Sequence, residues 1–204
     1  MPVRVHLNGL TRPEDAEKAA ALGVDAFGIF FWPQSSSSVS VTQAREIVSA
    51  VPDDALTIAM FVDAVGRTVE RTLSQAGIKM ALFAGSEDPD YCRRFSGRCS
   101  KVIRVRSSAS LEQMALYECA FFVLDGDPAV HAGAREVSFD FLLARSAKRW
   151  GKVVISGGLN TQNVASVIRT TRPWGVEISA GVESAQGIKD IDRLERFIDI
   201  CRSA

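Results

Sequence analysis

The chain has 204 residues, a length that allows one well-buried core and lies at the short end of what an eightfold barrel requires. Hydrophobic residues make up 47% and charged residues 24%, which is typical of a globular protein and excludes a disordered or fibrous class. The 24 basic and 24 acidic side chains cancel, so neither nucleic acid nor an acidic membrane surface is expected as a partner.

The first residues, MPVRVHLNGL, lack the basic segment and apolar run of a secretory signal, and no later stretch is apolar for long enough to cross a bilayer. We therefore expect a cytoplasmic protein. The four cysteines are spaced too widely for a metal site, and no histidine neighbours them. Reduced, structural thiols and no bound metal are predicted for Cys92, Cys99, Cys119 and Cys201.

Short apolar segments alternate with amphipathic segments along the whole chain. VRVHL is short and apolar, as a buried strand is, and RPEDAEKAAALG has an apolar stripe, Pro13 in its first turn and a glycine at its end, as a helix does. The same unit recurs seven more times. The predicted strands are 3–7, 25–31, 56–62, 79–84, 101–106, 120–125, 152–156 and 175–179, and the predicted helices are 12–23, 42–51, 67–77, 88–96, 110–118, 139–150, 160–171 and 190–201.

Eight strand–helix units predict a parallel sheet, because continuously apolar strands separated by helices are covered on their outer face. Right-handed crossovers close such a sheet into a (β/α)8 TIM barrel, the α/β fold that we expect for residues 1–204 as a single domain. An open doubly wound sheet is the alternative, although it usually has fewer units. In a barrel, the reacting groups lie where each strand ends and its following loop begins.

Two junctions late in the chain are rich in small residues. SGGLNTQNV places Gly157 and Gly158 between the seventh strand and its helix, with Asn160 as the expected helix cap. AGVESAQG places Ala180 and Gly181 after the eighth strand and before a short extra helix. These are the usual phosphate-binding loops of the fold, because main-chain amides and a helix amino terminus stabilise negative charge. The alternative is that the glycines only permit tight turns.

Three stretches of the sequence resemble one family. GLTRPEDA after the first strand, GGLNTQNV after the seventh and RPWGVEISAGVESAQGIKD at the end are similar to phosphoribosylanthranilate isomerases, in the same order along the chain. The resemblance implies a TIM barrel that performs an Amadori rearrangement in tryptophan biosynthesis. That reaction converts an aminoaldose phosphate into an aminoketose with a general acid and a general base, and without a metal or organic cofactor.

The resemblance also assigns roles to positions. An aspartate that ends strand six is the family's acid, a cysteine that ends strand one is its base, and an arginine after strand two binds the anthranilate carboxylate. Asp125 matches the acid. Asn8 stands at the base position, although a carboxamide is not basic at neutral pH. Ser37 stands at the arginine position, where a hydroxyl provides neither the charge nor the two-pronged grip.

Further departures affect the fourth strand and the loop after the sixth. The fourth strand has Ala81, Phe83 and Ala84 where the family has a glutamine and a histidine followed by glycine. The loop AVHAGAREVSFDF keeps little of the family's glycine-rich segment beyond Gly133. We expect part of the phosphate cradle to be lost.

Another side chain has to replace the missing base. Glu177 stands at a family aspartate position and is the first choice, because it would form with Asp125 a pair of carboxylates with separated pKa values. His6 lies two residues before Asn8, on the same side of the strand but one layer deeper, and is expected to be a buried, hydrogen-bonded core residue. His131, in the loop after strand six, is another candidate for the base, although a lone loop histidine is more often solvated.

Trp32 follows strand two and is a candidate to stack on an aromatic or sugar ring, whereas Trp174 is expected to pack at a strand entrance. Glu183 and Lys189 belong to the terminal motif, and we expect them to cap and pair at the surface near the last helix.

Three hypotheses for function follow. The chain performs the family isomerisation with a replaced base, or it is a related enzyme for a different phosphorylated small molecule that lacks the anthranilate carboxylate. The third is a catalytically silent barrel that binds a phosphorylated metabolite. Each predicts a phosphorylated small-molecule ligand, no cofactor, and a monomer or homodimer.

Overall fold

A computed structural model describes residues 2–126 and 141–204 of the chain. Their parallel strands pair in sequence order, and the eighth pairs with the first, so that the sheet closes. This closure confirms the predicted TIM barrel against the open-sheet alternative. The strands are β1 (Arg4–Leu7), β2 (Ala26–Phe30), β3 (Leu56–Phe61), β4 (Met80–Phe83), β5 (Cys99–Val105), β6 (Phe122–Gly126), β7 (Val153–Ile155) and β8 (Gly175–Ile178).

A helix follows each strand, as the alternating pattern predicts. None of the described helices has the length and apolar character that crossing a bilayer requires. The helices are α1 (Pro13–Ala21), α2 (Val41–Ser49), α3 (Gly66–Ala76), α4 (Pro89–Arg93), α5 (Ser108–Glu112), α6 (Phe141–Ala147), α7 (Val164–Thr171) and α8 (Ile191–Ser203).

The predicted short helix after the eighth strand is present as one 3-10 turn at Ala180–Val182. A small hairpin, β9 (Glu183–Ala185) and β10 (Ile188–Lys189), then leads into α8. The fifth helix differs from the prediction, because α5 begins at Ser108 and passes into a 3-10 helix at Gln113. Ser107 and Ser110 cap each other reciprocally, which fixes the earlier start.

Alternate strand residues face two different cores. Ala26, Leu82 and Val154 belong to the cluster inside the barrel, whereas Ile29 and Phe83 pack in the layer between strands and helices. Residues i and i+2 of a strand share a face, so the parity of a position decides whether its side chain can reach the barrel mouth.

An aromatic cluster fills the amino-terminal end of the barrel interior. His6 makes edge contacts with Phe121 and Trp174, with ring centroids 5.3 and 5.7 Å apart, which confirms the packing role of Trp174. His6 is buried, as the sequence predicts. The prediction that it is hydrogen-bonded is wrong, since neither ring nitrogen has a partner among the described residues. Burial, and then the charge of Arg4, lower the pKa of His6 to about 3, so the ring is neutral and packs as an aromatic.

A buried ion pair ties β5 to the loops that follow β3 and β4. Lys101 Nζ lies 3.1 Å from Glu87 Oε2 and donates to the Gly85 carbonyl at 2.7 Å. The Glu87 carboxylate also accepts from the backbone N–H groups of Asp63 and Gly85, at 2.8 and 2.9 Å. Every partner of this pair is a strand end or a loop, so the pair fixes one side of the mouth.

Removing the cation of this pair is expected to be costly. Lys101→Met leaves Glu87 buried without its counter-charge, and we expect the free energy of unfolding to fall by about 3–5 kcal/mol. Urea unfolding measures the loss, and Lys18→Met, at an exposed position on α1, is the control. A loss no larger than that of the control would contradict the structural role of the pair.

Candidate active site

Three polar side chains predicted to act in catalysis converge at the mouth of the barrel. Asn8 directly follows β1, Asp125 lies near the end of β6, and Glu177 lies in β8, which pairs with β1. Glu177 interacts electrostatically with Asp125 and receives a hydrogen bond from the Asn8 side chain. The structure therefore brings all three together.

Glu177 has the strongest perturbation of the three. Its pKa is raised to about 7, first by burial and then by the negative charge of Asp125. The hydroxyl of Ser156, which donates to Glu177 Oε1 at 2.8 Å, and the Asn8 side chain oppose the rise by stabilising the ionised form. A carboxyl group with this pKa both gains and loses a proton near neutrality.

Asp125 shares this environment. Burial raises its pKa, while the backbone N–H of Gly126 and the charge of Arg104 act in the opposite direction. Gly157 leaves room for the carboxylate, since a Cβ atom there would lie 2.4 Å from Asp125 Oδ1. Two neighbouring carboxyl groups with raised pKa values hold a shared proton at a pH where isolated carboxylates have lost theirs.

Asn8 is held from several directions. Its N–H donates to the Ile178 carbonyl at 2.8 Å, and its own carbonyl accepts from Lys189 Nζ at 2.7 Å. The side chain lies directly over Gly28 of β2, where a Cβ atom would come within 1.6 Å of Asn8 Oδ1. Asn8 is thus a fixed donor to Glu177, although its amide has no basic group.

Lys189 and Glu183 form a buried ion pair, whereas the sequence predicts a pair at the surface. Lys189 is buried, and its Nζ lies 2.8 Å from Glu183 Oε1. The backbone N–H of Lys189 donates to Asp15 Oδ2 at 3.1 Å. Burial lowers the pKa of Lys189, while Glu183 counteracts the change. Lys189 joins the terminal hairpin to the backbone of Asn8 and so positions that residue.

The two glycine-containing loops lie against each other. Gly157 and Gly158 adopt φ values of 87° and 63°, a region that favours glycine. A Cβ atom on Gly181 would lie 2.3 Å from the Leu159 carbonyl oxygen, so glycine is needed where the loops meet. Asn160 does not cap α7, because that helix begins at Val164; its Oδ1 instead accepts from the next turn, including the N–H of residue 162 at 2.8 Å.

These loops keep four backbone amides available. The N–H groups of Gly157, Gly158, Ala180 and Gly181 make no hydrogen bond to any other residue in the described ranges. Ala180 is exposed and begins the 3-10 turn. Unpaired amides in adjacent loops at the carboxyl ends of strands are the groups with which this fold binds phosphate.

The loop after β2 carries the other predicted ligand contacts. Ser37 is buried, at 7% exposed, and its N–H donates to Ser35 Oγ at 3.2 Å. Trp32 is half-buried in the same loop, and its carbonyl accepts from the N–H of Ser35 at 2.9 Å. At the position where the family resemblance implies an arginine, this chain thus holds a small, buried, uncharged residue.

Phe83 does not face the pocket. It belongs to the outer layer and contacts Tyr91 and Phe95, with ring centroids 5.2 Å away in both cases. Ala81 has the same parity and the same layer. These two residues pack against helices, so the expected loss of part of the phosphate cradle does not arise from them. His131 and Gly133 lie outside the described residues.

Sequence reasoning missed Arg104. This residue is exposed, pairs in register with Asp125 across β5 and β6, and lowers the pKa of that carboxyl. It lies two residues after Val102, which packs against the inner core. That parity is the signal that places Arg104 at the mouth, but it can be read only once the inward face of β5 is known.

Known proteins resemble this chain over nearly its whole length. The family model for N-(5'-phosphoribosyl)anthranilate (PRA) isomerase matches residues 5–200. The N-(5'-phosphoribosyl)anthranilate isomerase of Nitrosospira multiformis is 38% identical over 97% of this chain and 96% of the relative. The protein of the same name from Trichlorobacter lovleyi is 34% identical over 99% of both chains. This chain belongs to the phosphoribosylanthranilate isomerase family.

Solved structures of phosphoribosylanthranilate isomerases have the same barrel. The crystal structure from Thermotoga maritima is 29% identical, with a TM-score of 0.90 over 99% of this chain and 100% of that one. A structure in complex with reduced 1-(o-carboxyphenylamino)-1-deoxyribulose 5-phosphate is 28% identical, with a TM-score of 0.87 over the same shares. The class expected from the sequence, an aldose–ketose isomerase of the phosphoribosylanthranilate isomerase type, is confirmed.

The contact between Asn8 and Gly28 gives a test of the site's packing. Gly28→Ala places a methyl group where Asn8 Oδ1 lies, and we expect the free energy of unfolding to fall by about 1–3 kcal/mol, the usual cost of overpacking. Asn8→Ala in the same chain removes the clash and should restore most of the loss in urea unfolding. If the two losses simply add, the asparagine does not occupy this position.

Proposed function

We propose that the chain isomerises a phosphorylated sugar amine by an Amadori rearrangement in which the pair of carboxyl groups, Asp125 and Glu177, does the acid–base work. The observation that supports this most strongly is the pKa of about 7 at Glu177, beside a second carboxyl group whose pKa is also raised. General acids and bases work best when their pKa lies near the operating pH. The reaction needs no cofactor.

Each carboxyl group has one role in this proposal. The form of the pair that reacts carries its one proton on Asp125 and leaves Glu177 ionised. Asp125, at the family's acid position, protonates the ring oxygen of the sugar and opens it. Glu177 then removes the proton from the neighbouring carbon, in place of the family's cysteine. Asn8 donates a hydrogen bond to Glu177 and orients it, which is the role that a carboxamide can perform.

Substrate binding is assigned to the loops around the pair. The amides of Gly157, Gly158, Ala180 and Gly181 bind the phosphate of the substrate. Trp32 stacks on its aromatic or sugar ring, and Ser37 contacts the substrate without supplying a charge. The protein is a single domain over residues 1–204 and acts in the cytoplasm as a monomer or homodimer; a related enzyme from Thermotoga maritima is described as dimeric.

A second candidate is a related enzyme for a different phosphorylated small molecule. Ser37 favours it, because a buried, uncharged residue at the arginine position provides no partner for an anthranilate carboxylate. The acid–base pair and the phosphate loops would serve both substrates equally. Loss of fluorescence from an anthranilate-derived substrate separates the two candidates, since only the first predicts turnover of that compound.

Removal of the base tests the catalytic assignment. We expect Glu177→Gln to lower kcat by about 10²–10⁴-fold, because a positioned base contributes that factor. Fluorescence of the anthranilate-derived substrate reports the rate, and Glu195→Gln, at an exposed position on α8, is the control. Wild-type kcat in Glu177→Gln would overturn the assignment.

The pH dependence follows from the shared proton. The pair is active with one proton, so the rate should fall as the pH rises above about 7, where the last proton leaves, and fall again in acid, where both groups are protonated. The wild-type profile of kcat/KM is therefore expected to be bell-shaped. A rate that stays constant from pH 6 to about pH 9 would contradict a proton shared at this pKa.

The phosphate loops can be tested without turnover. Ala180 is exposed, so Ala180→Glu adds a charge without a packing conflict. We expect it to weaken the binding of ribose 5-phosphate by about tenfold or more through like-charge repulsion. Ala180→Gln has the same shape without the charge and should change the affinity little in calorimetric titration. Equal affinities of the two variants would place the phosphate elsewhere.

A further inference from the structure

Arg104 is a cation at the active-site mouth to which the family resemblance gives no role. We propose that Arg104 binds the carboxylate of the substrate's aromatic amine, in place of the arginine that is absent at Ser37, and thereby sets the substrate specificity. This inference rests on the proposed function, because it names the group on the substrate that the same site recognises.

The position of Arg104 directs it to the site. It shares the inner face of β5 with Val102, and its neighbour across the strand pair is Asp125. Its charge acts on the Asp125 carboxyl group, so the guanidinium lies within electrostatic range of the reacting atoms.

Arg104 is also available for a ligand. Its guanidinium makes no hydrogen bond and no ion pair within 4.0 Å to the part of the chain that the structure describes, and its side chain is exposed. The two lysines at the same end of the barrel are engaged, since Lys101 binds Glu87 and Lys189 binds Glu183. A guanidinium presents two parallel N–H donors to a carboxylate, which gives both affinity and orientation.

The same contact helps the acid. In the free protein the charge of Arg104 opposes protonation of Asp125. A bound carboxylate neutralises that charge, so the pKa of Asp125 rises when the substrate is present. The substrate that Arg104 selects therefore also favours the protonated form of Asp125, which the ring-opening step requires.

A pair of inert ligands tests the inference. One is reduced 1-(o-carboxyphenylamino)-1-deoxyribulose 5-phosphate, and the other is the same compound without the carboxylate. Calorimetric titration of the wild-type protein should show about tenfold or tighter binding of the carboxylated ligand, as expected for a charged hydrogen-bonded contact. Arg104→Gln should remove this preference and leave the affinity for the second ligand unchanged.

Two further variants make the test specific. Arg98→Gln changes an exposed arginine just before the other end of β5 and should keep the wild-type preference. Ser37→Arg added to Arg104→Gln should restore the preference, because it returns a cation to the family's position.

The inference is overturned if Arg104→Gln weakens both ligands equally, or if the wild type does not distinguish them. Because neither ligand reacts, these outcomes are independent of turnover. Binding that depends on Arg104 without any isomerisation would instead contradict the proposed function alone. Absence of binding by either ligand would overturn both.

Discussion

The account depends on the cost of keeping two carboxyl groups ionised side by side in the barrel mouth. Burial raises the pKa of both Asp125 and Glu177, and the negative charge of Asp125 raises that of Glu177 further, to about 7. The family resemblance implies that a cysteine thiol and an aspartate divide the acid–base work. Here the same division is possible between two carboxyl groups, because one retains a proton that the other has lost.

The rest of the mouth serves to hold this pair. Closure of the barrel makes β1 and β8 neighbours, which brings Asn8 to Glu177 although the residues are far apart in sequence. Gly28 provides the space for the Asn8 side chain, and Lys189 holds its backbone. Asn8 is thus part of a hydrogen-bonded arrangement with Glu177 on the adjacent strand, the residue that we propose as the base.

Much of the fold and part of the site could be predicted from the sequence. The alternation of apolar and amphipathic segments gives the barrel, since the period of each element is local. The same pattern does not show which face of a strand points inward, so it predicts neither the outer-layer packing of Phe83 nor the position of Arg104 at the mouth. The burial of Lys189 and the unpaired ring nitrogens of His6 arise from contacts between distant segments, which no local pattern encodes.

A direct titration of Glu177 tests the central claim. Carbon-13 NMR of protein labelled at the glutamate carboxyl carbons, with Glu177→Gln to assign the signal, follows this group as the pH changes. The account predicts a midpoint near pH 7 that falls in Asp125→Asn, where the neighbouring charge is absent. A midpoint near the ordinary glutamate value of about 4.3, or one that does not respond to Asp125→Asn, would contradict a coupled acid–base pair.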